Sequence, residues 1–194
     1  MENSILTLYK SKITVFDMKT LAILWGIKNS NTLKSKANYL AKMGKLIKIR
    51  YGLYALDENY AKFELAGKLL SPSYVSLETV LGMEGVIFQY SEEVISISNT
   101  TRNYEIDGKA YRYRKMKDII LFEKAGINFF DNQAIASKER AFLDMIYLSK
   151  NYYFDNLRSI DWEKCRLLAK LYKNKNLVER LEEYNKIYKK HYVE

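Results

Sequence analysis

Apolar residues in the first part of the chain recur every three to four positions, which is the period of helices that bury one face. A short helix is predicted over residues 4–10. A second helix is predicted to follow a capping box in which Thr14 is the N-cap residue and Asp17 the third helical residue, and Gly26 ends it. The apolar face of this second helix is formed by Val15, Met18, Leu21, Ala22 and Trp25.

A third helix is predicted to begin at Ser30-Asn31, where both residues are good N-caps, and to end at Gly44. Alternating apolar and polar residues over 46–50 and 53–56 flank a glycine-bearing turn and predict a β-hairpin. Two helices joined by a short turn and followed by a hairpin are typical of a winged helix-turn-helix, which we expect over residues 1–56. The buried face of the third helix is predicted to contain Leu33, Ala37 and Leu40.

The rest of the chain is expected to form a connecting helix or linker over 57–72, closed by Ser71 and Pro72, and a mixed α/β domain over 73–194. Alternation around Asp107-Gly108 is a strong hairpin signal. The predicted fold class is therefore α+β, with strands early in the second domain and a helical tail. The predicted strands are 94–98, 102–106, 109–114 and a further one at 119–122, and the predicted helices are 57–70, 76–83, 137–148, 161–172 and 176–190.

Composition limits the class of protein and the kinds of site. With 48% hydrophobic and 28% charged residues, the chain is typical of globular rather than disordered proteins. Cys165 is the only cysteine and His191 the only histidine, so we expect no internal disulfide and no cysteine-based metal site. The sequence has neither a metal-ligand cluster nor a glycine-rich phosphate loop, so we expect no metal and no cofactor. The start of the chain lacks the apolar segment of a signal peptide, and no apolar run approaches the ~18 residues of a membrane span. We therefore expect a cytoplasmic protein with no membrane partner.

Charge is distributed unevenly along the chain. Residues 1–56 contain ten lysines and arginines against Glu2 and Asp17, a net charge of +8. Residues 57–194 contain 22 basic and 21 acidic residues, a net charge of +1. This asymmetry indicates a polyanion-binding module joined to a near-neutral domain, although a solvated basic face would give the same count.

The third helix is the predicted recognition helix, whose first turns would enter the major groove of double-stranded DNA. Its candidates for contact with base edges are Asn31, Thr32, Ser35 and Asn38, and its candidates for contact with phosphates are Lys34, Lys36 and Lys42. On the hairpin, Lys48 and Arg50 alternate with isoleucines and would meet the DNA backbone or the minor groove, with Tyr51 at the tip. Winged folds also act as protein-interaction modules, so an adaptor with no DNA role remains an alternative.

A second basic segment lies at 99–117, where six cations oppose Glu105 and Asp107. Alternation places Arg112 and Arg114 on one face of a strand that begins at Lys109, and tyrosines on the other face. Such a hairpin could contact DNA, RNA or an acidic partner, or it could be an ordinary strand with its arginines in water.

Three segments together resemble one known family. Residues 47–56 (Ile-Lys-Ile-Arg-Tyr-Gly-Leu-Tyr-Ala-Leu), 74–81 (Tyr-Val-Ser-Leu-Glu-Thr-Val-Leu) and 135–144 (Ile-Ala-Ser-Lys-Glu-Arg-Ala-Phe-Leu-Asp) are similar, in order and spacing, to the antitoxins of AbiE-type abortive-infection systems. Arg140 stands where lysine is commoner in that family. The resemblance covers roughly residues 1–150, and the tail beyond Lys150 matches no segment of the family.

The resemblance implies a function for each domain. The winged domain of such antitoxins binds inverted repeats upstream of its own operon and represses transcription. The second domain opposes a cognate nucleotidyltransferase-like toxin, and in the type IV scheme stable contact between the two proteins is not required. A stand-alone winged-helix regulator is the alternative if no such toxin is encoded beside the gene.

An enzyme is the rival class, and the residues argue against it. Cys165 is expected to be a half-buried packing residue and His191 lies near the C-terminus, so neither suits a nucleophile–base pair. Glu139 and Asp144 should point in different directions from one helix, and Glu139 should support the first turn of that helix near Ser137. We expect no catalytic residues and no enzymatic activity.

Overall fold

The computed structural model describes residues 2–89 and 91–192. The chain divides into two compact units, one comprising Met1–Leu69 and Phe130–Gln133 and the other Leu70–Phe129 and Ala134–Glu194. Both units combine helices with strands, so the protein is of the α+β class. None of the helices within the described ranges is long and apolar enough to cross a membrane.

The first unit contains helices around a small antiparallel sheet. Strand order in this sheet is β1-β3-β2, so the first strand pairs with the third. The elements in chain order are α1 (Glu2–Lys10), β1 (Val15–Asp17), α2 (Met18–Trp25), α3 (Ser30–Lys42), β2 (Ile47–Arg50), β3 (Leu53–Ala55) and α4 (Lys62–Leu69).

The start of α2 differs from the predicted capping box. Residues 15–17 form β1, whose Val15 lies opposite Ala55, and Asp17 is itself the N-cap of α2, with its Oδ1 accepting a hydrogen bond from the Thr20 amide at 2.7 Å. The capping-box prediction was wrong because pairing with a distant strand outweighs a local capping signal. Similarly, the N-cap of α3 is Asn29 rather than Ser30 or Asn31.

The predicted buried face of α3 is confirmed. Leu33, Ala37 and Leu40 are each at most 5% exposed. They form the core of the first unit together with residues from α1, α2 and the sheet. The helices pack in this way because burial of their apolar stripes is favourable. The other buried members of this core are Leu8, Phe16, Leu21, Leu46 and Tyr54.

The connecting helix is shorter than the predicted 57–70, since α4 begins at Lys62. A buried carboxylate joins it to Thr14, the residue before β1. Glu64 Oε2 accepts hydrogen bonds from the Thr14 amide at 2.9 Å and from the Thr14 hydroxyl at 2.6 Å, and that hydroxyl oxygen accepts from the Ala61 amide at 2.9 Å. Thr14 therefore binds the start of α4 instead of capping α2.

The second unit is built on a mixed sheet with strand order β6-β7-β5-β4-β9-β8. Strand β5 is parallel to β7 and antiparallel to β4, which is parallel to β9. The elements in chain order are β4 (Ser73–Val75), α5 (Leu77–Met83), β5 (Val94–Ser98), β6 (Arg102–Ile106), β7 (Lys109–Lys115), α6 (Asp118–Leu121), β8 (Ile127–Phe130), β9 (Gln133–Ala136), α7 (Lys138–Leu148), α8 (Trp162–Ala169), a 3-10 turn (Lys170–Tyr172) and α9 (Lys175–Tyr192).

Some sequence predictions for this unit hold and others fail. The hairpin of β6 and β7 turns at Asp107 and Gly108, both at positive φ, as predicted. The strand predicted at 119–122 is wrong, because Asp118–Leu121 form a helical turn that buries Ile120 and Leu121. A short apolar run has no period that distinguishes strand from helix. Strands β4, β8 and β9 were not predicted.

The tail beyond Lys150 packs against α7. The ring of Phe142 on α7 lies 4.8 Å from that of Phe154, 5.9 Å from that of Trp162 and 5.8 Å from that of Tyr184, measured between centroids. Aromatic pairs at such distances add to the burial of their large surfaces. The tail is therefore part of the second unit's core, although the sequence resemblance does not cover it.

Candidate nucleic-acid interface

The exposed side of α3 lies opposite its buried leucines. Burial of Leu33, Ala37 and Leu40 fixes the rotation of the helix, so the residues between them face solvent. The exposed side chains among the sequence candidates are Asn31, Thr32, Lys34, Ser35, Asn38 and Lys42. Lys36 is half-buried instead. We call the surface formed by the six exposed side chains the α3 face.

The N-terminus of α3 is closed by its cap. Asn29 Oδ1 accepts hydrogen bonds from the amides of Asn31 at 2.9 Å and Thr32 at 3.0 Å, and from the Thr32 hydroxyl at 3.3 Å. Thr32 is thus engaged at the cap, and its hydroxyl would have to leave Asn29 to donate to a base. Asn31 and Ser35 are the better-placed polar side chains on the first turns of the helix.

Asn38 is tied to the sheet. Its Oδ1 accepts a hydrogen bond from the Tyr54 hydroxyl at 3.1 Å, which links α3 to β3. Burial, with a smaller contribution from Tyr51, raises the pKa of Tyr54 above its ordinary value, so this hydroxyl remains a donor. A bidentate contact with adenine uses both the oxygen and the nitrogen of an asparagine amide. Asn38 can therefore offer its nitrogen more readily than its oxygen.

Lys36 is held against the preceding helix. Its ammonium lies 4.6 Å from the centroid of the Trp25 ring, within the range of a cation–π interaction. The Trp25 indole nitrogen in turn donates to the Ser4 carbonyl at 3.1 Å, which joins α2 to α1. Lys36 therefore contributes to the packing of the first unit as well as to its charge.

The hairpin of β2 and β3 extends cationic side chains into solvent. Lys48 and Arg50 are exposed, whereas Ile47 and Ile49, which alternate with them, are partly buried. Tyr51 at the turn is 81% exposed, and its ring lies 5.9 Å from the Lys48 ammonium. Gly52 has a φ of +77°, a left-handed conformation that a side chain would strain. We call Lys48, Arg50 and Tyr51 the hairpin tip.

The charge of Asp17 is compensated within the first unit. Its carboxylate accepts from the Thr20 amide and lies 3.3 Å from the Lys68 ammonium. Burial opposes its ionisation, but the hydrogen bonds from Thr20 and the charge of Lys68 together lower the pKa of Asp17 below its ordinary value. This carboxylate consequently does little to offset the positive charge of the α3 face and hairpin tip.

The second basic segment is only partly available. Tyr111 and Tyr113 are buried on one face of β7, and burial, with Asp107 nearby, raises the pKa of Tyr111 to about 12. On the other face, Arg112 donates to Glu93 at 2.6 Å and Arg114 is half-buried. Lys109, at the start of the strand, is exposed. The structure thus places Arg112 and Arg114 on the face opposite the tyrosines and pairs Arg112 with a carboxylate, whereas Lys109 has the same parity in the strand as the tyrosines.

A buried ionic cluster in the second unit was not predicted. Arg140 is fully buried, and its guanidinium donates to the Asp144 carboxylate, to the Tyr74 hydroxyl and to the Ile120 and Ala125 carbonyls. Asp144 also accepts hydrogen bonds from the hydroxyls of Tyr74, Ser76 and Tyr172. An opposite-charge pair four residues apart on an apolar helix was the available signal. The cluster is enclosed and so is a structural centre.

The side chains considered as catalytic candidates are buried or ion-paired in the structure. Cys165 is fully buried rather than half-buried, and burial raises the pKa of its thiol. Glu139 lies in the first turn of α7 and its carboxylate is 2.8 Å from the Lys164 ammonium. Within the described residues, no three histidine, cysteine or acidic side chains come close enough together to hold a metal ion.

No protein-family model matches this chain, and no curated protein matches it either. Two surfaces of the first unit, the α3 face and the hairpin tip, contain most of the candidates.

Proposed function

We propose that the first unit is a winged helix-turn-helix that binds double-stranded DNA, with α3 as its recognition helix and the β2–β3 hairpin as its wing. The observation behind this proposal is the α3 face and the hairpin tip, both exposed and polar, within a segment of net charge +8. Helix α2 is capped by Gly26, which has a φ of 64°, and three residues separate this cap from Ser30, where α3 begins. That short connection between two packed helices is typical of DNA-binding helix-turn-helix motifs.

The candidate contacts divide by chemistry. Asn31 and Ser35 are the main base-edge residues, because Thr32 is engaged at the cap and Asn38 is engaged with Tyr54. The exposed cations would bind phosphates, which position the protein without selecting sequence. These cations are Lys34, Lys42, Lys48 and Arg50, with Lys36 in a supporting position.

We further propose that the chain is a non-enzymatic antitoxin of the AbiE type, active in the cytoplasm. In this role the first unit represses the chain's own operon, and the second unit counters a nucleotidyltransferase-like toxin. Support comes from the resemblance over 135–144, whose Arg140 and Asp144 form the buried cluster, and from the segment 74–81, which supplies Tyr74 and Ser76 to it. Both segments thus meet in one structural centre.

Operator binding is tested by a gel shift with the DNA upstream of the chain's own gene against a scrambled duplex of equal length. We expect tighter binding to the upstream DNA and an affinity that falls steeply as salt rises. Equal, weak binding to both duplexes would overturn the operator proposal and favour a protein-binding adaptor.

The wing is tested by the double variant Lys48→Ala with Arg50→Ala. Because each phosphate contact adds about 0.9 to the slope of log affinity against log salt, the slope should decrease by up to about 2 for both duplexes. The matched control is Lys124→Ala with Lys186→Ala, two exposed lysines of the second unit outside the 99–117 segment. If the wing variant binds as the parent does, the wing assignment is wrong.

The toxin relationship is tested separately by co-expression. A nucleotidyltransferase-like protein encoded beside this gene should arrest growth alone and lose that effect when this chain is present. Growth arrest that persists in the presence of the chain would contradict the antitoxin proposal while leaving DNA binding intact.

A further inference from the structure

An apolar groove lies between α1 and the C-terminal end of α3. Its volume is about 760 Å³, and Leu6 and Tyr9 of α1 line one side while Tyr39 of α3 and Met43, the C-cap residue of α3, line the other. None of these four residues belongs to the DNA-contact candidates. The groove is therefore a feature of the first unit that the proposed function does not use.

The side chains that line the groove are unusually exposed for their size. Leu6 is 50% exposed, Tyr9 59%, Tyr39 44% and Met43 57%. Single exposed apolar residues are common on proteins, but several around one concave surface mark an interaction site. Methionine and tyrosine suit such a surface, because the methionine side chain adapts its shape and tyrosine combines apolar area with a polar tip.

The charge around the groove favours a bound partner of one sign of charge. Lys45 lines the groove, and Lys10 and Lys42 are exposed and follow or precede the lining residues Tyr9 and Met43 directly in the chain. Glu2 and Asp17 are the only acidic residues of the first 56, and Asp17 is compensated by Lys68. A second copy of the chain bound through the same face would bring like charges together, since a two-fold interface pairs a patch with itself. The basic rim thus favours an acidic partner.

The dimensions favour a helix. Tyr9 follows Leu6 by three positions on α1, and Met43, the C-cap of α3, follows Tyr39 by four positions, so each side of the groove presents about one helical turn. A helix laid between two such sides buries residues at i, i+3 or i+4, and i+7. We propose that this groove binds an amphipathic helix of another protein, with acidic residues flanking its apolar face.

The test uses the full chain and two synthetic peptides of about 15 residues, a length at which isolated helices become marginally stable. Both peptides have leucine at i, i+3 and i+7, and the flanking positions are glutamate in one and lysine in the other. Fluorescence anisotropy of labelled peptide should give saturable one-to-one binding for the glutamate peptide. The lysine peptide should bind at least about tenfold more weakly, which corresponds to about 1.4 kcal/mol.

Variants locate the binding. Leu6→Ala with Met43→Ala should reduce the affinity for the glutamate peptide roughly tenfold or more, because the bound helix would bury both side chains. Lys10→Gln with Lys45→Gln should weaken it at low salt and less at high salt. The control is Ile23→Ala, since Ile23 is 71% exposed on α2 and does not line the groove. Circular dichroism checks that each variant is folded.

Three outcomes would overturn the proposal. The peptides could bind equally or not at all, or Ile23→Ala could have the effect of the groove variants. Analytical ultracentrifugation could also show a concentration-dependent dimer of the chain that the Leu6 and Met43 variants abolish, in which case a second copy occupies the groove. DNA binding by Leu6→Ala with Met43→Ala, which changes no charge, should match the parent, so failure here is distinguishable from failure of the proposed function.

Discussion

Arg140 and Asp144 form an ion pair one turn apart on α7, with the guanidinium Nε 3.4 Å from the carboxylate Oδ1 and both side chains fully buried. The rings of Tyr74 and Tyr172 lie 5.4 and 5.3 Å from the guanidinium carbon. Burial, together with the Asp144 carboxylate, raises the pKa of both tyrosines, so their hydroxyls stay protonated and donate to that carboxylate. The pair is thus satisfied by neighbours from several elements of the second unit.

Arg140→Met should destabilise the protein by about 3–5 kcal/mol, since it leaves the buried Asp144 carboxylate without its counter-ion. The double variant Arg140→Met with Asp144→Leu should recover part of this loss, because it removes both charges. Urea unfolding measures the free energies. The control is Arg166→Met, which breaks the exposed pair with Glu182 and should cost at most about 1 kcal/mol. Equal effects of Arg140→Met and Arg166→Met would contradict this account.

Local periodicity was enough to predict the elements that depend on it. The buried face of α3, the β2–β3 hairpin and the β6–β7 hairpin follow from spacings within a few residues. Strand β1 could not be found in this way, because three residues acquire strand geometry only by pairing with β3. The same holds for β4 and β9, whose parallel pairing joins Val75 to Ile135.

The candidate site was predictable in composition but not in hydrogen bonding. Exposure of the α3 face follows from the rotation that Leu33 and Leu40 impose. The bond between Asn38 and Tyr54 joins a helix to a strand of the folded unit, so no local pattern indicates it. The enclosure of Arg140 likewise depends on side chains from β4 and from the turn after α8.

Cys165 should be chemically inert in the folded protein. Reaction of a thiol with an aromatic disulfide reagent requires thiolate and access, and burial removes both. We expect a rate on the order of a hundredfold below that of the urea-unfolded chain, limited by opening of the structure. The control combines Leu167→Cys with Cys165→Ala, because Leu167 is 63% exposed on the same helix and its replacement should react rapidly. Fast reaction of Cys165 in the folded protein would show that the thiol is accessible and that α8 does not bury it.

The ion pair of Glu139 and Lys164 should make the free energy of unfolding depend on pH in the acidic range. Burial of Glu139 opposes ionisation, but the hydrogen bond and charge of Lys164 lower its pKa in the folded state. A depressed folded pKa stabilises the protein above the unfolded pKa of about 4.3, and this contribution is lost as pH falls through the folded pKa. The stability difference between the parent and Glu139→Gln should therefore narrow as pH falls from about 5 to about 3, in urea titrations at each pH. The difference in unfolding free energy between the parent and Lys164→Met should narrow over the same pH range. If either difference stayed constant with pH, the pKa of Glu139 would not be lowered by Lys164 in the folded state.

Asn31 and Asn38 should differ in how they affect DNA recognition, if the first unit binds DNA as proposed. Asn31→Ala should reduce affinity for the upstream duplex by about 1–3 kcal/mol and leave the scrambled duplex unchanged, because a base-edge contact is lost. Tyr54→Phe removes the hydroxyl bonded to Asn38 without altering the α3 face, so it should lower the unfolding free energy by about 1 kcal/mol and preserve discrimination between duplexes. Asn38→Ala should show that same loss of stability and a smaller loss of discrimination than Asn31→Ala. Competitive gel shifts and urea unfolding separate the two effects. If Asn31→Ala weakened both duplexes equally, Asn31 would be a backbone contact and the readout would have to come from Ser35 or Asn38.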